Sequence, residues 1–128
     1  MLGQGRRSEC PRGLLEDRSI HRVGTAAGGF VARDYALSFP KRLRSLVGPS
    51  ASATFRNRVT FALLEAISVP TLLITGDADM YAPPPVMRMF AARVKGSQAV
   101  VIPEAGHSAY WEQPEIFSRT VLEFIARH

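Results

Sequence analysis

Four short apolar runs alternate along the chain with longer segments in which apolar residues recur every three or four positions. The runs are rich in β-branched residues and bounded by polar, proline or glycine residues, which is typical of buried parallel strands. The periodic segments predict amphipathic helices. The alternation predicts an α/β fold with a mostly parallel sheet of about four strands and helices on both faces. The predicted strands are Ile20–Val23, Leu43–Val47, Thr71–Thr75 and Ala99–Ile102.

Three longer segments carry the helical stripe. The first runs from Gly28 to Phe39 and ends before Pro40, and its aromatic residues are expected in the core. The second follows three consecutive prolines, which suit a first helical turn because proline's missing N–H costs nothing there. Its Met89 is expected to fill the core. The third begins at Pro114, and a shorter helix is expected near residues 63–66.

Polar residues follow the third and fourth predicted strands. Asp77 and Asp79 come just after Gly76, and His107 comes just after Gly106. Ligands bind at the carboxyl edge of open α/β sheets, so an acid and an imidazole are expected together at that edge. A carboxylate beside a histidine fixes the ring tautomer and stabilises the imidazolium that forms when the ring takes a proton. The pair predicts two of the three groups of a hydrolytic triad.

In combination these motifs resemble the α/β-hydrolase family. The residues are G-D-A-D from Gly76 after a proline-led strand and, about thirty residues later, G-H-S followed by E-Q-P. The resemblance covers roughly residues 20–47 and 67–128. It implies that Asp79 is the triad acid and His107 the triad base. Asp77 is the alternative acid, but in the family motif the third residue after the glycine carries that role.

The family's nucleophile lies in G-x-S-x-G-G at a strand-to-helix turn. Residues 24–29 read G-T-A-A-G-G, so Ala26 stands where the family has its serine. A methyl group cannot attack a carbonyl. The backbone N–H of Ala27 remains a candidate oxyanion donor.

The resemblance therefore implies a hydrolase for a small ester, lactone or related carbonyl substrate, in which His107 and Asp79 activate water directly. One alternative is a non-catalytic pseudoenzyme or ligand-binding module that keeps the pocket and has lost the chemistry. Another is an inactive truncated gene product. Two aspartates and one histidine without a second histidine make a poor zinc set, so no metal or cofactor is predicted.

The chain enters the family's pattern late. Residues 1–19 predict a loose leader, and residues 20–128 predict a partial α/β-hydrolase domain. Family members carry further strands before the nucleophile turn. They also carry a cap of many tens of residues after the next strand, whereas this chain has only about twenty residues there, beginning at Gly48. We therefore expect a fold without the N-terminal strands and most of the cap. A homodimer that covers the exposed sheet edge is a hypothesis.

Charge and composition narrow the class of partner. Of 128 residues, 46% are hydrophobic and 21% charged, which is enough to bury a core. The net charge is +5. The excess precedes Pro70, where eleven basic residues face five acidic ones. The basic residues are scattered without interleaved aromatic residues, so no nucleic-acid partner is predicted.

Three further residues qualify this picture. Cys10 is the only cysteine, which excludes a disulfide framework and fits a cytoplasmic protein. His21 lies on a strand of alternating polarity and is expected to face water or a helix rather than a substrate. Trp111 is expected to pack, with its neighbour Tyr110, under the His107 loop. No apolar stretch approaches the roughly twenty residues of a membrane helix.

Overall fold

The computed structural model describes residues 19–25, 27–48 and 61–128. Within them, four strands alternate with five helices, and a single 3-10 turn at Pro40–Arg42 precedes the second strand. The strands are β1 (Ile20–Val23), β2 (Leu43–Gly48), β3 (Thr71–Gly76) and β4 (Gln98–Ile102). The helices are α1 (Ala27–Ser38), α2 (Phe61–Glu65), α3 (Pro84–Ala91), α4 (Ala109–Glu112) and α5 (Pro114–Ala126).

The four strands form one sheet in the order β1-β2-β3-β4, and every neighbouring pair is parallel. In the register of the sheet, Val47 lies beside Leu72, and Gly76 lies beside Ile102. The carboxyl ends of β3 and β4 therefore meet at one edge of the sheet. The predicted parallel α/β sheet is confirmed, and each predicted strand differs from the observed one by at most one residue at an end.

Helices cover both faces of the sheet, which explains why its central strands read as continuous apolar runs. Leu73 packs on one face with α1, α2 and α3, whereas its neighbours Leu72 and Ile74 pack on the other face with α4 and α5. Complete burial of one such side chain contributes about 1.5–3 kcal/mol. The second face is centred on buried residues of three strands and two helices: Val47, Leu72, Ile74, Ile102, Ala109, Val121 and Phe124.

Three predicted core positions are wrong. Phe39 follows the last residue of α1 and is exposed. Met89 is exposed on α3, while Met87 and Phe90 of the same helix fill the core. Trp111 is 80% exposed and does not pack under the His107 loop. It lies on α4, a helix of four residues too short to show a periodic pattern in the sequence.

Several predicted features lie outside the described residues. These are the leader up to residue 18, the alanine at position 26 and most of the segment where the family places its cap. In the described ranges, no helix is both long and apolar enough to cross a membrane.

Candidate active site

Asp79 occupies a buried position in the turn that follows β3, with only 3% of its surface exposed. Its Oδ1 accepts the backbone N–H groups of Tyr81 at 2.8 Å and Ala82 at 2.9 Å. Burial raises the pKa of this carboxyl, but the N–H donors of Ala82 and Tyr81 and the neighbouring His107 outweigh that effect and hold the pKa below its usual value. Asp79 is therefore a fixed negative charge at neutral pH.

His107 lies in the loop after β4 and faces Asp79. Its Nδ1 is 3.2 Å from Oδ2 and 3.3 Å from Oδ1 of that carboxylate. When the ring is neutral, an Nδ1–H donated to Asp79 leaves Nε2 with a free lone pair, which is the form a general base requires. The side chain of His107 is 34% exposed, so substrate and water can reach it.

A small pocket opens beside this pair. Its empty space is about 270 Å³, including the part open to solvent. Thr25, the last described residue before position 26, lines the same pocket as His107. The start of the strand-to-helix turn therefore faces the acid–imidazole pair, as the family pattern requires. The lining residues come from five elements or their loops: Thr25, Ile74, Thr75, Asp79, His107, Ala109, Tyr110 and Phe117.

The structure describes the backbone of Ala27 but not Ala26, the other position predicted in the turn. Ala26 lies outside the described residues. Ala27 is the first residue of α1, and the first N–H groups of a helix have no acceptor within the helix. The backbone of Ala27 is therefore at a helix terminus that favours negative charge.

Asp77, the rival candidate for the acid, has another set of contacts. Its Oδ2 accepts the N–H of Glu104 at 3.0 Å, and its Oδ1 accepts the N–H of Ala105 at 3.1 Å. These two donors lower the pKa of Asp77. The structure thus brings Asp79, and not Asp77, into contact with the imidazole of His107.

His21 is engaged elsewhere. Its Nδ1 lies 2.7 Å from Oγ of Ser45, a fully buried residue of the neighbouring strand. Burial, followed by the charges of Arg44 and His128, lowers the pKa of His21. The ring lies beside Ser45 on the paired strand and is not among the residues that line the pocket, and the expectation that it faces water or a helix stays a prediction. Among the described residues, no group of three or more acidic, histidine or cysteine side chains could hold a metal ion.

Four large apolar side chains are exposed on the segments that carry the pair. Met80 is 90% exposed and follows Asp79 directly. The ring of Tyr81, also exposed, lies with its centroid 4.8 Å from that of His107. Tyr110 and Trp111 are exposed on α4. These four residues, the apolar rim, belong to the two segments that deliver Asp79 and His107, and exposed apolar groups of this kind mark places where a ligand or partner binds.

A family model described as "Alpha/beta hydrolase family" matches residues 4–120. This chain belongs to the α/β-hydrolase family. The match includes most of the segment for which the sequence predicts a loose leader. Members of this family place their triads at the carboxyl edge of the sheet. Asp79, His107 and the turn after β1 lie at that edge in this chain.

Among curated proteins, this α/β hydrolase is similar to a 2-hydroxy-6-oxononadienedioate/2-hydroxy-6-oxononatrienedioate hydrolase from Klebsiella pneumoniae. The two are 33% identical over 95 residues, which are 74% of this chain and 31% of that protein. A pimeloyl-[acyl-carrier protein] methyl ester esterase from Neisseria meningitidis is 35% identical over 63 residues, or 49% of this chain and 24% of the esterase. The chain thus matches a third or less of the length of these relatives.

Solved structures give the same fold. A predicted CIB-like hydrolase from Thermoplasma acidophilum superposes with a TM-score of 0.78 at 25% identity, over 91% of this chain and 54% of that one. A serine hydrolase involved in carbazole degradation superposes with a TM-score of 0.77 at 18% identity, over 88% of this chain and 65% of that one. The second likeness shows the fold alone.

Sequence reasoning missed two contributors to the site. Thr25 has no role in the sequence-based prediction, although it lines the pocket. Glu112 was read only as part of the E-Q-P motif, although its carboxylate contacts the His107 loop. The sequence held one indication of this contact. Glu112 follows the histidine by five residues, and one helical turn at that spacing brings a side chain back to the loop.

Proposed function

We propose that this α/β-hydrolase-family protein hydrolyses a small ester, lactone or related carbonyl substrate, with His107 and Asp79 activating water as the nucleophile. The observation that carries the proposal is the geometry of the pair. A buried carboxylate lies 3.2 Å from Nδ1 of a solvent-accessible imidazole on a pocket wall. A carboxylate in this position orients the ring and stabilises its charged form.

The chemistry follows from the position of each group. Nε2 of His107 takes a proton from water while the water oxygen bonds to the substrate's carbonyl carbon. The carbonyl π electrons move to the oxygen, which the backbone N–H of Ala27 stabilises as an oxyanion. Collapse of this tetrahedral intermediate breaks the bond to the leaving alkoxide, which receives the proton from the imidazolium. An acid and an alcohol are released, and the imidazole is again neutral.

Two relatives support the class of substrate. One is named as a methyl ester esterase, and the other as a hydrolase of a 2-hydroxy-6-oxo dienedioate or trienedioate. Because Ala26 replaces the family's serine, water is the nucleophile that we assign here.

The replacement of serine also supports a second candidate, a pseudoenzyme that binds ligand in the pocket and does not turn it over. A small-molecule ligand would be held by the apolar rim and by the walls of the pocket. An inactive truncated gene product would show neither turnover nor saturable binding.

A panel of short activated esters and lactones separates these candidates. Asp79→Asn should lower turnover by two to four orders of magnitude, because the amide no longer fixes the required tautomer. Asp34→Asn is the matched control, since Asp34 is exposed on α1 and pairs with Arg33. Saturable binding without turnover favours the pseudoenzyme, and equal rates for the parent and Asp79→Asn contradict the proposed mechanism.

We also propose a homodimer through β1. In the described part of the chain, β1 pairs with β2 and forms an edge of the sheet. Unpaired strand edges offer backbone donors and acceptors to a second strand. Light scattering of a purified sample should give twice the mass of one chain, and a monomer that melts cooperatively would contradict the proposal.

A further inference from the structure

Two carboxylates hold the loop that carries His107. Asp77 approaches it from the end of β3 and accepts the N–H groups of Glu104 and Ala105, one on each oxygen. Glu112 approaches it from α4. Its Oε2 accepts the N–H of Gly106 at 2.9 Å, and its Oε1 accepts the N–H of Ser108 at 3.1 Å.

Four backbone N–H groups in the segment 104–108 are therefore bound by two side chains, two by each carboxylate, and three of them precede the histidine while one follows it. A carboxylate is the side chain best suited to this arrangement, because both oxygens accept and neither donates. Hydrogen bonds to an ionised acceptor are also stronger than those to a neutral one. Asp77 and Glu112 together form what we call the carboxylate clamp.

The loop follows a path that needs such support. Glu104 has φ of +52°, in the left-handed region that a residue with a Cβ seldom adopts. The loop also presses on the tip of β3, where a Cβ added to Gly76 would lie 2.1 Å from the carbonyl oxygen of Ala105. Further backbone contact comes from the N–H of Ala78, which donates to that same oxygen at 3.0 Å.

The position of His107 depends on this loop. Its bond to Asp79 measures 3.2 Å, whereas charge-assisted N–H···O bonds are typically about 2.7–2.9 Å. A bond that is already long is lost after a small displacement of the loop. Asp79 itself cannot follow, since its Oδ1 is held by two backbone N–H groups.

We propose that Asp77 and Glu112 are positioning residues, which hold the loop so that Nδ1 of His107 donates to Asp79 and Nε2 stays free to act as the base. This role rests on the proposed function of the His107–Asp79 pair. Neither carboxylate touches the reacting atoms. Asp77 acts through the backbone that precedes the histidine, and Glu112 acts through the residues directly before and after it.

The test uses two isosteric variants of the full chain, Asp77→Asn and Glu112→Gln. A carboxamide has one accepting oxygen, and its NH₂ faces the second backbone N–H without bonding to it. Asp34→Asn and Glu115→Gln are matched controls, because Asp34 is exposed on α1 and Glu115 on the first turn of α5. Nitrogen NMR of the imidazole rings, assigned with His107→Ala, reports which ring nitrogen carries the proton and needs no substrate.

In the parent and both controls, the neutral ring of His107 should carry its proton on Nδ1. In Asp77→Asn and Glu112→Gln that preference should weaken toward the mixture of an unrestrained imidazole. Exchange of the Gly106 and Ser108 amides should speed up at least about tenfold in Glu112→Gln, because local opening becomes easier. Folded variants with the parent's tautomer and exchange rates would overturn the proposal.

The parent alone supplies a second check that does not depend on the folding of any variant. The amides of residues 104, 105, 106 and 108 should be protected from hydrogen exchange, and free exchange of all four would overturn the clamp. If the parent hydrolyses esters, both variants should lose about a hundredfold in kcat with KM unchanged, as expected for a misplaced base. A parent without turnover contradicts the proposed function and leaves the spectroscopic test of the clamp intact.

Discussion

Nδ1 of His107 lies 3.2 Å from Oδ2 of Asp79, although the two residues are 28 positions apart in the chain. The parallel pairing of β3 with β4 brings them together, because the register sets Gly76 beside Ile102 at the shared carboxyl edge. The loop after each strand then needs only a few residues to deliver its side chain. The acid–imidazole contact is thus a direct consequence of the sheet topology.

Restoring a hydroxyl at position 26 should create a nucleophile. Thr25, the neighbouring residue, lines the pocket with His107, so the Ala26→Ser hydroxyl is expected within reach of the imidazole. The variant should react with an activated phosphonate and gain the mass of one covalent adduct, which intact-protein mass spectrometry measures.

The matched control is Ala92→Ser, an exposed position after α3, which should not be labelled. Thr25→Val in the parent background should also leave the protein unlabelled, since water is the assigned nucleophile. If the parent forms an adduct and Thr25→Val does not, the nucleophile is the Thr25 hydroxyl and the assignment of water is wrong.

Two glycines should respond to alanine for different reasons. At Gly76 the new Cβ would meet the backbone oxygens of Ala105 and Gly106 at 2.1 Å and 2.3 Å, so the His107 loop must move. At Gly96, with φ of +71°, nothing lies within 4 Å and only the backbone conformation is strained. We expect Gly76→Ala to cost about 3 kcal/mol or more, and Gly96→Ala about 1 kcal/mol.

Urea unfolding measured by tryptophan fluorescence and circular dichroism gives both values. Gly96→Ala should also keep the NMR signals of the His107 loop, whereas Gly76→Ala should shift them. An equal, small cost for the two substitutions would mean that the loop does not press on the end of β3.

Some parts of the fold and of the site were predictable from the sequence, and others were not. The ends of β3 were predictable because a strand buried on both faces is apolar throughout and is bounded here by Pro70 and the Gly76 turn. Asp79 and His107 followed from the strand ends together with the family motif. The role of Asp77 did not follow, since two aspartates on one turn differ only in the tertiary contacts that each reaches.

Other features depend on packing that no local pattern encodes. Phe39 follows the end of α1, and Met89 is exposed on α3, whose buried residues are Met87 and Phe90, so which apolar residues are buried depends on where each helix ends and which side packs. Glu112 reaches the loop only because the four-residue α4 turns back on it. A helix of one turn leaves no periodicity to detect.

Acid should destabilise the protein through Asp77 and Asp79. The pKa of each is lower in the folded protein than its ordinary value, so each contributes stability above the unfolded value of about 3.9 and loses it as pH falls through the folded pKa. The free energy of unfolding of the parent should exceed that of Asp77→Asn and Asp79→Asn at pH 7. The gap should shrink below about pH 3.9.

Urea unfolding midpoints between pH 2.5 and pH 7 measure this gap for each variant. A gap that stays constant across the range would mean that neither carboxylate is stabilised in its charged form.

Truncation to alanine should cost far less stability at Trp111 than at Phe124. Trp111 is 80% exposed on the apolar rim, and Phe124 is 2% exposed in the core. Trp111→Ala should change the free energy of unfolding by no more than about 0.5 kcal/mol, while Phe124→Ala should cost about 3–5 kcal/mol. Thermal and urea unfolding followed by circular dichroism check both, and a large loss for Trp111→Ala would contradict its exposed position.

The central claim is that the imidazole of His107 performs the proton transfers of ester hydrolysis. The most direct measurement is the rate of hydrolysis of an activated ester by the parent, by His107→Ala and by His128→Ala, all purified in the same way. His128 follows α5, packs its ring at a tilt against that of Phe124 and is not among the pocket-lining residues, so it serves as the control. We predict turnover by the parent and by His128→Ala, and a loss of two or more orders of magnitude in His107→Ala. Equal rates for all three proteins, or no turnover by the folded parent, would contradict the account.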